Sequence, residues 1–243
     1  MKLKNILAMI LALVMVFSLA ACGKEEGGAE GKILNVHVTA AIDSIDPALT
    51  SAGDDFEVIG TMVEGLFQCD ASGAAIPGMA EDYEISPDGM TWTFKLRDAK
   101  WSNGAEVTAD DFVFAWQRAM ALPAEYASLF ETAGIKNASA IYAGEMDATE
   151  LGVYAEDDKT LVVEFDVPCA FFDTLMFFPV FYPMNRAFVE ECGDLFGSAP
   201  EYYLSNGCFT LSEYTPAATE FKMVKTNFIM MLTQLNLQAL PTK

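Results

Sequence analysis

Acid–base or nucleophilic chemistry at neutral pH usually turns on a histidine, and this chain has one, His37. A serine or cysteine nucleophile would have to borrow it as a base. No GxSxG elbow is present. His37 falls instead within residues 33–39, whose alternating, β-rich pattern predicts a half-buried first strand. Three acid pairs, Asp54-Asp55, Asp110-Asp111 and Asp157-Asp158, sit at predicted turns and helix starts. Capping and solvation account for them there without any acid–base role. GxGxxG, GxxxxGKS/T and HExxH are absent. Cys69, Cys169, Cys192 and Cys208 are irregularly spaced with no CxxC pair, so no zinc site is expected. An exported chain is free to form disulfides, but scattered cysteines in a large domain more often act as small buried apolar groups. Catalytic residues, metal ligands and a cofactor are therefore not expected, and the chain does not read as an enzyme.

One cysteine differs. Lys2 and Lys4 form a positive start, residues 6–19 an apolar stretch, and Leu19-Ala20-Ala21-Cys22 follows. That order is a secretory signal rather than a membrane span, and its end looks like a bacterial lipobox. Cleavage before Cys22 would leave lipid on its sulfur and amino group, each buried CH₂ adding roughly 0.8 kcal/mol of membrane affinity. An ordinary signal peptide with a chance cysteine is the alternative. Residues 22–32 then read as a charged, glycine-rich tether with nothing apolar to bury. The expected location is the outer face of a bacterial cytoplasmic membrane, on the periplasmic side if the cell is Gram-negative. The balance of 35 Asp and Glu against 14 Lys and Arg, formally -21, argues against a nucleic-acid partner.

The elements that would position a site follow from pattern. Asp46-Pro47 punctuates the chain, and Phe56, Ile59, Met62, Val63 and Leu66 recur at helical spacing across residues 54–66. Ser72-Gly73, Ser86-Pro87-Asp88-Gly89 and Ser102-Asn103-Gly104 are turn signals. Trp92, Phe94 and Leu96 share one face of a strand, while Thr91, Thr93 and Lys95 share the other. Thr108 is an N-cap with Asp111 three residues on, a capping-box spacing. Phe112, Trp116 and Met120 then form the apolar stripe of a helix docked on the sheet. Residues 161–165 predict a strand after the Asp157-Asp158-Lys159 turn, residues 184–192 a helix, and residues 209–211 and 220–224 late strands. No internal repeat occurs. The class is α/β, a mixed α+β arrangement with much mixed sheet.

Several of these stretches carry a resemblance. The run from Asp88 through Trp92-Thr93-Phe94 to Arg97, then Lys100-Trp101-Ser102-Asn103-Gly104, then Val107-Thr108-Ala109-Asp110-Asp111-Phe112, closely resembles the family 5 solute-binding proteins. These are the oligopeptide- and dipeptide-binding components of ABC importers. Trp101, Ser102, Gly104, Val107, Thr108, Ala109 and Asp111 carry that signature. Ile45-Asp46-Pro47, Glu64-Gly65-Leu66, Gly78-Met79-Ala80-Glu81 and Asn206-Gly207-Cys208-Phe209 are similar to further family segments, in order. The likeness covers about residues 33–225.

The resemblance implies a periplasmic-binding-protein type II-like fold, of which this stretch is the first lobe with its inserted subdomain. It implies a peptide ligand held largely through its main chain, a β-augmentation logic, and ABC permease subunits as partners. Ser51, Ala52 and Gly53 match the place where family members pair backbone with peptide, and small residues there permit close approach. An ordinary loop before a helix is the alternative. Trp92, Trp101 and Trp116 are expected in the core rather than in a ligand platform. Relatives that carry nickel complexes, haem or oligosaccharides keep other cargo open. So does a one-lobed surface lipoprotein with a structural or adhesive role.

Family members run to roughly twice this length, so the second lobe is expected to be missing and this copy to be truncated and impaired. Residues 226–243 do not resemble the family. Back-translated with free third positions and read two nucleotides later, they permit Tyr-Tyr-Asp-Ala-Asp-Ala-Val-Lys-Leu, close to what relatives carry there. The single codons of Met230 and Met231 fix part of that reading. A frameshift near Lys225 is the expectation, and a short paralogue with a novel tail the alternative.

Overall fold

The computed structural model describes residues 39–226 except positions 43 and 218. Cys22, the tether, His37 and nearly all of the predicted first strand lie outside the described residues, as does the tail beyond residue 226.

Helix α1 spans Gly53–Met62, and strands β1 (Phe67–Cys69) and β2 (Ala75–Pro77) form a short hairpin. Strands β3 (Ala80–Ile85), β4 (Thr91–Leu96), β5 (Val153–Asp157) and β6 (Thr160–Glu164) make a four-stranded sheet in the order β3-β4-β6-β5. Helix α2 (Ala109–Ala121) lies against it; short helices α3 (Ser128–Thr132), α4 (Ala138–Tyr142), α5 (Phe172–Leu175) and α6 (Arg186–Cys192) complete that side. A last hairpin pairs β7 (Phe209–Glu213) with β8 (Lys222–Lys225). Every described strand pair is antiparallel, so the mixed sheet suggested by the sequence is not seen among the described residues.

Alternation builds the sheet as predicted. Trp92, Phe94 and Leu96 face the core, and Leu161 and Val163 meet them from β6. The stripe of Phe112, Trp116 and Met120 is buried on α2. All three tryptophans are core residues. The predicted turns form, with Gly73, Gly89 and Gly104 at positive φ.

The apolar interior divides in two. A large cluster gathers the sheet, α2 and the aromatic residues around Phe172 and Phe181. A smaller one joins Ile42 and Ile45, the α1 residues Val58, Ile59 and Met62, and Tyr203, Leu211 and Tyr214. The chain crosses between them at residues 63–66. There the predicted helix over residues 54–66 is wrong, because it stops at Met62 and Val63 is already extended. Tertiary hydrogen bonds win over helical spacing: the Glu64 amide donates to Asn206 Oδ1 (2.8 Å), and the Asn206 side chain donates back to Glu64 O (3.2 Å). The Gly207 amide donates to Met62 O at 2.8 Å. Val63 and Leu66 stay buried, but in different clusters. Gly65 is required at this crossing, since a Cβ would stand 2.8 Å from the Tyr182 ring.

The start of α2 carries an unusual carboxylate. Asp111 closes the predicted capping box, accepting from the Thr108 amide at 3.0 Å. It also accepts from Trp101 Nε1 at 2.9 Å and is almost fully buried. The solvated role expected for the acid pairs therefore fails at Asp111; its neighbour Asp110 is the surface partner, held by Arg186. Burial is the main cause that pushes Asp111 up to about 6, with the nearby Asp110 charge adding to it and the two hydrogen bonds opposing. A folded-state value above the ordinary 3.8 means that the native state holds its proton more tightly. Stability from this group is thus complete below pH 4 and is lost as pH rises through 6. The loss is on the order of 2–3 kcal/mol. Asp111→Asn removes the titration, so its stability relative to the wild type should improve between pH 4 and pH 7. Urea midpoints across that range measure it, and parallel profiles would refute the assignment.

Candidate functional site

The loop from Asp46 to Asp55 is fixed at both ends by side chains beneath it. At the entry, the Asp46 carbonyl accepts from the amides of Leu49 (3.1 Å) and Thr50 (3.0 Å), and its Oδ1 accepts from the Ala48 amide (3.0 Å). The carboxylate is in turn gripped by Arg118, which donates from Nη1 to Oδ1 (2.9 Å) and from Nη2 to Oδ2 (2.7 Å). At the exit, buried Asp55 accepts from Thr50 Oγ1 (2.8 Å) and from the Ser44 amide (3.2 Å). Asp54 accepts from the amide and hydroxyl of Thr39 and from the Ala40 amide. As at Asp111, one member of the acid pair is buried structure rather than a solvated cap; Asp157 and Asp158 stay exposed in their turn.

Between these anchors lie the three residues picked from sequence. Ser51 and Gly53 are exposed, Ala52 is half-buried and is the N-cap of α1, and exposed Leu49 stands close by. A Cβ on Gly53 would meet nothing within 4 Å, so the chain's own packing does not demand glycine there. A main chain held from within and open on its outer side can pair with an extended ligand at little ordering cost.

A second concavity of about 350 Å³ opens at the other end of α1, lined by Thr61, Glu64, Phe67, Cys69, Tyr182 and Cys208 among others. Its polar groups are already engaged with one another. Glu64 pairs with Arg97 and accepts from Gln68 Nε2 at 2.7 Å, and the Tyr182 hydroxyl donates to Phe177 O. Desolvation pushes Tyr182 up to about 12 and leaves it neutral. The loop is the better candidate for recognising a polar main chain.

The model of the bacterial extracellular solute-binding proteins, family 5 Middle, matches residues 74–227, more than half of the chain. The chain belongs to this family. Its relatives include the periplasmic oligopeptide-binding protein OppA of Haemophilus influenzae, 37% identical over 209 residues that take in 84% of this chain and 38% of that protein. The dipeptide-binding protein of Lactococcus lactis is 32% identical over 194 residues, 79% of this chain and 34% of that one. Among solved structures, Listeria monocytogenes OppA bound to peptide gives a TM-score of 0.76 at 37% identity, covering 80% of this chain and 38% of that chain. The chain therefore spans well under half the length of these relatives. Its mixed α+β fold resembles the family-5 structures, and the family is one of solute binding rather than catalysis.

In this family-5 chain the signature residues mostly build the lobe. Trp101 and Asp111 pair in the interior, Val107 and Ala109 are fully buried, Thr108 caps α2, and Gly104 makes its turn. Ser102 joins distant segments: its amide donates to Ser205 O (2.7 Å), and its Oγ accepts from the Ser205 amide (3.2 Å). None of them adjoins Ser51–Gly53 through a described hydrogen bond. The cysteine expectation needs one correction. Cys169 is buried and Cys192 and Cys208 partly so, but Cys69 is exposed, because β1 runs outward from buried Phe67 and ends at Cys69 beside the turn to β2. All four are free thiols. Sequence reasoning passed over Arg118, Arg97 and the buried role of Asn206. The one basic residue of α2, set in its last turn between the apolar positions Trp116 and Met120, was the available signal for Arg118.

Proposed function

We propose that this protein captures extracellular oligopeptides or dipeptides for import by an ABC transporter. The described lobe supplies one wall of the binding site through the main chain of Ser51, Ala52 and Gly53. The observation that carries this reading is the loop itself, held by Asp46 and Asp55 with its tip outward in a chain whose relatives are named for binding oligopeptides and dipeptides. Lipid on Cys22 would hold the protein to the outer face of the membrane, with the residues 22–32 as a tether beside the permease subunits. Residues 33–225 form the N-terminal lobe in this reading, and residues 226–243 are a frameshifted tail. A small ligand normally loses 70–90% of its surface to its site. One wall by itself buries much less, so a peptide held by this lobe alone is bound weakly.

Equilibrium dialysis against tri- to pentapeptides, cello-oligosaccharides, haem and nickel complexes tests the cargo. Saturable peptide binding in the roughly millimolar range, with little dependence on side-chain identity, is expected for main-chain pairing. Saturable binding of another cargo without peptide would overturn the proposal.

A further inference from the structure

Arg118 and Asp46 lie 72 residues apart and belong to different parts of the lobe. Arg118 sits in the last turn of α2, among the residues of the large cluster, whereas Asp46 follows Ile45 of the smaller one. The guanidinium is oriented from several sides: its Cζ lies 5.7 Å over the Phe196 ring, and Nη1 also approaches Met184 Sδ at 3.8 Å. Phe196 in turn packs on Tyr203, with ring centroids 5.6 Å apart. The pair is bidentate and mostly shielded, with side-chain exposures of 19% for Arg118 and 7% for Asp46. That is the geometry in which an arginine cannot be replaced by a lysine without loss of orientation.

We infer that Arg118 is a positioning residue for the peptide-pairing loop, through which the α2 subdomain sets the main-chain course of residues 48–53. The inference rests on the peptide reading for its function but not for its geometry. Asp46 holds the loop by three bonds, to the amides of Ala48, Leu49 and Thr50. Arg118 holds the carboxylate that makes one of them. Without the guanidinium fork, the carboxylate is free to rotate and the turn loses its base. No contact between Arg118 and the ligand is required.

The test is amide hydrogen exchange on the full protein with Arg118→Lys and Arg118→Met, alongside peptide dialysis. In Arg118→Lys, exchange at Ala48, Leu49 and Thr50 should quicken roughly tenfold or more while the β4–β6 ladder keeps its rates. Arg118→Met should show a larger effect at the same amides. Peptide affinity should fall by a comparable factor in the lysine variant. Unchanged loop exchange in Arg118→Lys, or loop and sheet quickening together, would overturn the positioning role. If the loop alone loosens and the wild type binds no peptide, the positioning role stands and the peptide reading fails.

Discussion

Alanine in place of Trp116 is expected to destabilise the protein by about 3–5 kcal/mol, enough to leave a marginal domain largely unfolded. Trp116 is 0% exposed and lies at the centre of the large cluster. Its ring meets Phe181, Phe130 and Phe172 edge-on, at centroid distances of 5.4, 5.7 and 6.3 Å. Its indole nitrogen donates to Phe181 O at 2.9 Å, tying α2 to the segment that precedes α6. Alanine removes the packing, opens a cavity and leaves a buried carbonyl without its donor. Trp116→Phe keeps an aromatic ring in the cluster but gives up part of the indole volume and the hydrogen bond to Phe181 O, the latter at about 1–2 kcal/mol, so its cost should fall below that of alanine. Urea unfolding of both variants measures the difference. An alanine variant within 1 kcal/mol of the wild type would mean that the cluster is not the source of the lobe's cohesion.

Arg97→Ala is the second large effect, and it should depend on pH. Glu64 is buried at the crossing between the two clusters, paired with Arg97 and hydrogen-bonded by Gln68. Burial raises its carboxyl above the ordinary 4.5, while Arg97 opposes the rise. Removing the guanidinium leaves an uncompensated buried carboxylate, and such truncations cost about 3–5 kcal/mol. Arg97 is 23% exposed along its side chain, so the lower part of that range is expected. The sign follows from the direction of the shift. A raised folded-state value means that the protonated form is favoured in the native state, and without Arg97 it is favoured further. The penalty should therefore be greatest at neutral pH and shrink as the solution is acidified toward 4.5. Stability of wild type and variant at pH 5 and pH 7 decides this; a penalty that grows on acidification would show that Glu64 is not the group responsible.

What was legible in the sequence was mostly local. The β4 alternation, the Thr108–Asp111 capping box and the α2 stripe each depend on residues within a few positions, and all three form. The loop tip at Ser51–Gly53 was found through a family likeness, and the structure places it on the surface. The errors have a common cause. Helical spacing ran on to Leu66 because Val63 and Leu66 are apolar at the right intervals, yet they are buried beyond the helix in different clusters, where Asn206 and Gly207 bond to Glu64 and Met62 beside them. The partners of that crossing lie 142 residues away. Separation along the chain, 72 and 33 residues, also hid the two ion pairs, Arg118 with Asp46 and Arg97 with Glu64. A charged residue that is polar by type and buried by partnership shows no periodic signature until the fold brings its partner to it.

The most direct test of peptide capture by the loop is an amide-resolved titration of the isotopically labelled protein with a short neutral peptide, raised to millimolar concentration. The account predicts saturable chemical-shift changes concentrated at Ser51, Ala52 and Gly53, with the ladder of β4 and β6 unmoved. No change at those amides, or saturable changes confined to the cleft around Thr61, Cys69 and Cys208, would contradict it.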